Sequence, residues 1–114
     1  MTTTTDHLAE LAAVYSDVIP FSEGDCSGFQ IRNVLPPLPC PQEPFDVILV
    51  PGQFEGYPSR LYFSRQPTGP IQKNWNGNRR FLERQWHAYS WKIDDGSPNL
   101  AMLVQQHLRG LITQ

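Results

Sequence analysis

The 114-residue chain has few features that would mark a specialised class. It contains two cysteines, Cys26 and Cys40, and none after position 40. There is no CxxC pair and no His pair at metal-ligand spacing, which argues against a zinc site. No glycine-rich phosphate loop and no dinucleotide fingerprint occurs. No apolar run approaches the roughly 18 residues of a membrane span. The start, Met1-Thr2-Thr3-Thr4-Thr5-Asp6, has neither a basic nor an apolar leader region. Positive charge is not in surplus: the formal net charge is −2, which argues against a nucleic-acid partner. These absences together give the expectation of a cytoplasmic protein with two free thiols, no metal and no membrane.

Proline is plentiful, with 11 residues, and it is clustered. Leu35-Pro36-Pro37-Leu38-Pro39-Cys40-Pro41 excludes helix and central strand, because proline lacks an N–H and restricts the residue before it. This tract reads as a stiff connector. The hydrophobic fraction of 39% suffices for one core at this length. The expected organisation is a disordered segment over 1–5 and a single domain over 6–114.

Two amphipathic segments bracket the chain. Leu8, Leu11, Ala12 and Tyr15 recur at helical spacing, predicting a helix from His7 to about Tyr15, with Asp6 as cap and Glu10 near the capping-box position. Leu100, Leu103, Val104, Leu108 and Leu111 form a second stripe. Ser97 as N-cap and Pro98 at the first helical position would start that helix. Between them lie strands. Val18-Ile19 begins one that Pro20 interrupts; Glu23-Gly24-Asp25 is a turn; Phe29–Arg32 alternates; Arg60–Ser64 is another strand. Phe45–Val50 is apolar almost throughout, as in a central strand covered on both faces. Ile71–Asp95 has no clean period and reads as a long structured loop. The fold class is therefore α+β: an antiparallel meander of three to four strands flanked by an N-terminal and a C-terminal helix.

Two tracts carry a family resemblance. FDVILVPGQFEGYPSRLYFS, Phe45 to Ser64, has strand, Pro-Gly, loop, Tyr57-Pro58 and strand in order. FLERQWHAYSW, Phe81 to Trp91, has Trp86, Tyr89 and Ser90 at Trp–x–x–aromatic–Ser spacing before a tryptophan and a final helix. In these respects the chain resembles the prokaryotic ubiquitin-conjugating-enzyme-like (UBC-fold) proteins over about Gly24 to Leu111. The resemblance implies a UBC-like fold and a place in a bacterial ubiquitin-like conjugation pathway. The implied partners are a ubiquitin-like protein and an adenylating activating enzyme. No cofactor is implied for this chain, since ATP is used by the activating partner. The chain departs from the family in having no cysteine after the fourth strand, and Trp91-Lys92 where Arg-His is usual.

Acyl transfer without that cysteine needs another nucleophile. Ser90 can carry an oxyester if a base takes its proton. His87, three residues earlier, would share a side with it on a helical turn, and Asp94 or Asp95 could orient the imidazole. The resemblance also implies an oxyanion-stabilising asparagine. Asn74, Asn76 and Asn78 are indistinguishable in sequence, and Asn76 represents them in the candidate site. Trp75, Trp86, Tyr89 and Trp91 read either as core plugs or as anchors for a ubiquitin-like partner. Cys26 and Cys40 read as small buried residues. Two rival functions remain: a non-catalytic UBC-fold module that binds a ubiquitin-like protein or the activating enzyme, and a small ligand-binding or toxin-neutralising domain.

Overall fold

The computed structural model describes residues 4–52, 54–93 and 99–113. It is α+β, with helix α1 (Thr4–Ala12), strands β1 (Val18–Glu23), β2 (Cys26–Val34), β3 (Phe45–Val50), β4 (Arg60–Phe63), β5 (Gly77–Phe81) and β6 (Arg84–Ala88), and helix α2 (Leu100–Arg109). A 3₁₀ turn, Gly110–Ile112, prolongs α2. All strand pairings are antiparallel, in one sheet of order β1-β2-β3-β4-β6-β5. The sheet has six strands, more than the three to four expected, and its last hairpin leaves the meander by placing β6 inside and β5 at the edge.

The extra strands have identifiable causes. Pro20 does not interrupt β1, because β1 is an edge strand and its missing N–H costs no ladder bond on the open side. The tract read as a loop contains the β5–β6 hairpin. Its strand β5, Gly-Asn-Arg-Arg-Phe, buries only its two ends, so it shows little apolar alternation. Its turn is Leu82-Glu83, both at positive φ (55° and 59°). Such two-residue turns ordinarily use Asn-Gly, and leucine carries no such signal.

β3 is the central strand anticipated, with Val47, Ile48, Leu49 and Val50 all buried. Its two faces feed separate cores. Val47 and Leu49 join Ile31, Phe45, Phe63 and Tyr89 beneath the helices, where α1 contributes Leu11 and α2 contributes Leu100, Leu103, Val104 and Leu108. Ile48 and Val50 join Phe21, Tyr62, Phe81, Trp86 and Ala88 on the other face. Among the described residues no helix contributes to this second core. The sheet curls, and its two edge strands meet: the Phe21 ring of β1 lies 5.2 Å from the Phe81 ring of β5. Glu23 Oε2 accepts the Leu82 N–H at 2.7 Å, and Arg79 pairs with Asp25 at 3.0 Å across the same seam. Within the sheet, β2 passes β3 so closely that a Cβ at Gly28 would fall 2.0 Å from the Leu49 carbonyl oxygen.

The helix ends differ from the expected ones. α1 begins at Thr4, inside the segment expected to be disordered, and Asp6 lies within it. Glu10 does not close a capping box; its Oε1 accepts the Leu100 N–H at 2.9 Å, at the start of α2. Asn99 is the N-cap of α2, its Oδ1 accepting from the Met102 N–H at 2.9 Å. Ser97 and Pro98 lie outside the described residues. Among the described residues no helix is long and apolar enough to cross a membrane.

Closure of the sheet by the Phe21–Phe81 contact has a direct test. Phe81→Ala should lower the unfolding free energy by roughly 3–5 kcal/mol, as for other buried phenylalanines. Urea denaturation should show this as a lower midpoint.

Candidate functional site

The residues singled out in the sequence divide between three surroundings. Trp86 is wholly buried on the concave face, its Nε1 donating to the Phe81 carbonyl at 2.9 Å. Tyr89 is buried under the helices and its hydroxyl donates to the His107 carbonyl. Neither presents a surface that a partner could reach. Trp75 is half-buried, edge-on to Phe63 and Tyr89 at 5.6 and 5.2 Å. Trp91 is also half-buried, with Lys73 Nζ 4.5 Å from its ring centroid.

His87 is separated from Ser90. It lies on strand β6, opposite Phe63 of β4 and Asn78 of β5, and so on the helix-side face. The helical turn that would align His87 with Ser90 is absent, because this tract is extended and alternate residues face opposite sides. No hydrogen bond joins the two among the described residues. Asp94 and Asp95 lie outside the described residues. Both cysteines are free and buried, in different cores. Burial pushes the Cys26 thiol up to about 11, and burial raises Cys40 too, so neither is a ready thiolate.

Ser90 and Asn76, by contrast, meet at one phenol. Ser90 is exposed, and its N–H donates to the Asn74 carbonyl at 2.8 Å. The Tyr57 hydroxyl lies 3.3 Å from Ser90 Oγ and receives the Asn76 Nδ2 at 3.0 Å. Asn76 Oδ1 in turn accepts from Arg60 Nη2 at 2.6 Å. Asn76 is thus distinguished from Asn74, which contributes a backbone carbonyl, and from Asn78, whose side chain pairs with Gln85 on the β5–β6 hairpin.

Arg60 organises this cluster. It opens β4 and is only 5% exposed. Its guanidinium lies 4.3 Å from the Tyr57 ring centroid and pairs with Glu55 at 3.3 Å. Its Nε has no hydrogen-bond partner among the described residues. Glu55 belongs to a two-residue turn, Glu55-Gly56, with φ of 52° and 85°, closed by reciprocal Phe54–Tyr57 backbone bonds at 2.9 Å. That turn carries both Glu55 and Tyr57 to Arg60. Glu55 also accepts from the Tyr62 hydroxyl and from Arg79 at 3.2 Å. Arg79 continues to Asp25, so a line of alternating charge runs from the β1–β2 turn to Arg60.

The electrostatic result is a phenol that ionises below the ordinary tyrosine value of about 10. The Ser90 hydrogen bond contributes most, then that of Asn76, with the Arg60 charge in the same direction. Tyr62 is the contrast: burial and its bond to the Glu55 carboxylate raise it. Among the described residues no group of three or more His, Cys, Asp or Glu is placed to hold a metal ion.

Sequence reasoning passed over Tyr57 as a chemical group, noting it only beside Pro58, and passed over Arg60 and Glu55. It also passed over a buried pair, Ser59 Oγ and His107 Nε2, 2.9 Å apart. His107 had a visible signal: it falls on the same helical stripe as Leu100, Leu103, Val104 and Leu111. Burial, and secondarily the Arg60 charge, lower its imidazole to about 4.

Two outcomes follow. A Cβ at Gly77 would lie 2.5 Å from Arg60 Nη2, so Gly77→Ala should displace the guanidinium from Asn76. The Tyr57 phenol should then titrate higher, which ultraviolet difference spectra would register against Tyr57→Phe. The folded-state value of His107 lies below its unfolded value of about 6.5. Its contribution is therefore complete above pH 6.5 and lost as pH falls through about 4. Urea unfolding between pH 7 and 4 should show a loss of about 3 kcal/mol from this group, absent in His107→Gln.

Comparison with known proteins returned no matching family model, no matching curated protein and no matching solved structure.

Proposed function

We propose that the chain is a UBC-like component of a bacterial ubiquitin-like protein conjugation pathway. In this reading it accepts an activated ubiquitin-like protein as an oxyester on Ser90 and passes the acyl group to an amine. The observation that carries the reading is the convergence of the exposed Ser90 hydroxyl, the Asn76 amide and the Tyr57 phenol. These residues come from the two tracts that bear the family resemblance and from the asparagine-rich segment between them. Both thiols are buried, whereas Ser90 is exposed beside Tyr57. A hydroxyl is a weak nucleophile at its own pKa and needs a proton acceptor within hydrogen-bond reach. The Asn76 amide is one donor that could meet the oxyanion formed during transfer.

A second reading has its own support. His87, the base expected for Ser90, faces the other side of the sheet. A UBC-fold module that binds a ubiquitin-like protein or the activating enzyme without carrying an acyl group needs no base.

One experiment separates the two. The protein is incubated with activating enzyme, ubiquitin-like protein and ATP, and a covalent adduct is sought. The expected adduct resists thiols, is cleaved by hydroxylamine, survives Cys26→Ala and Cys40→Ala, and disappears in Ser90→Ala. Binding of the ubiquitin-like protein with no adduct from the wild type would establish the non-catalytic module instead.

A further inference from the structure

We infer that Tyr57 is the general base of Ser90, a serine–tyrosine dyad held in its reactive state by Asn76 and the buried Arg60. The inference rests on the proposed acyl-acceptor role of Ser90, and it replaces His87 with a group that the fold brings to the serine from 33 positions away.

The geometry has the parts such a dyad needs. The neutral Tyr57 hydroxyl donates to Ser90 Oγ at 3.3 Å, a ligand-free distance just beyond the reach of a working base. Loss of the phenol proton reverses the direction of that bond, and Ser90 is exposed to an incoming acyl group. The phenol oxygen receives one N–H from Asn76, which stabilises a phenolate. The guanidinium over the ring supplies a fixed positive charge that water cannot screen from the buried side. Arg60 cannot drift: Glu55 holds one nitrogen and Asn76 another. The direction of the phenol's ionisation, below its ordinary value, agrees with this arrangement.

The chemistry balances without a metal or redox partner. In the phenolate form the Ser90 hydroxyl donates to Tyr57 Oη. As Oγ bonds to the carbonyl carbon of an ester or thioester, its proton passes to the phenolate and the carbonyl electron pair moves onto oxygen. Collapse of the tetrahedral species breaks the bond to the leaving alcohol or thiol, which takes the proton from Tyr57. Attack of an amine on the resulting oxyester reverses the roles: the C–N bond forms, the C–Oγ bond breaks, and the amine proton returns through Tyr57 to Oγ.

The probe is 4-nitrophenyl acetate, used on the full chain alone, with peptide mass spectrometry to locate the acetyl group. Ser90 should be acetylated, with a rate that rises with pH through the titration of the Tyr57 phenol. Tyr57→Phe, which keeps the ring over Arg60, should slow acetylation by about 10²-fold and remove that pH dependence. Asn76→Ala should move the pH profile upward without abolishing the reaction. Circular dichroism and urea midpoints establish that each variant is folded. Absence of acetylation at Ser90, or an unchanged rate in Tyr57→Phe, would overturn the dyad, as would loss of the reaction in His87→Ala with Tyr57→Phe still active. The pathway is read separately. Tyr57-dependent acetylation without a ubiquitin-like adduct upholds the dyad and rejects the conjugation reading. An adduct on Ser90 that is indifferent to Tyr57→Phe does the reverse.

Discussion

The meeting of the two edges of the sheet is the constraint on which the rest of the structure depends. Among the described residues helices cover only one face of the sheet, yet β3 is apolar on both and β4 adds buried Tyr62 to the second. The second face is removed from water by curling until Phe21 and Phe81 touch. That burial drives the strand arrangement, because a flat sheet would leave Tyr62 and Trp86 in solvent. Closure also sets polar groups of distant strands opposite one another, and they pair: Glu23 with the Leu82 amide, Asp25 with Arg79.

The same closure builds the candidate site. Arg79 turns from Asp25 to Glu55, Glu55 holds Arg60, and Arg60 presents its charge to Tyr57 and Asn76. A buried guanidinium is costly unless it is paired, and removing a partner from such a group is strongly destabilising. The Glu55 ion pair and the Asn76 hydrogen bond that compensate Arg60 are therefore also what fixes the environment of the Tyr57 phenol. Stability and the proposed reactivity share these contacts. Tyr62 and Tyr57, two tyrosines five residues apart that both lie near Glu55 and Arg60, are driven in opposite directions: one is buried against a carboxylate, the other half-buried and hydrogen-bonded to Ser90 and Asn76.

Local pattern accounts for the elements that are plain in the sequence. The stripe from Leu100 to Leu111, the continuous apolar run of Phe45–Val50 and the turn at Gly24-Asp25 are short-range signals, and each element stands where its pattern places it. The β5–β6 hairpin was not legible, because β5 carries Arg79 between Gly77 and Phe81 on its inner face, where an apolar residue would have marked the alternation, and its turn is leucine–glutamate. Likewise the capping of α2 by Glu10 joins residues 90 positions apart, and no local rule anticipates it.

The candidate site divides in the same way. The sequence by itself determined the α+β class, the two helices and the central strand. It also determined that no thiol lies beyond Cys40. Only the tertiary structure decided which side chains meet. The strand period turns His87 away from Ser90, the Glu55-Gly56 turn delivers Tyr57 to it, and the pairing of buried Arg60 selects Asn76 from three asparagines. Those choices rest on sheet register and on the compensation of buried charge, which are properties of the folded chain rather than of any stretch of it.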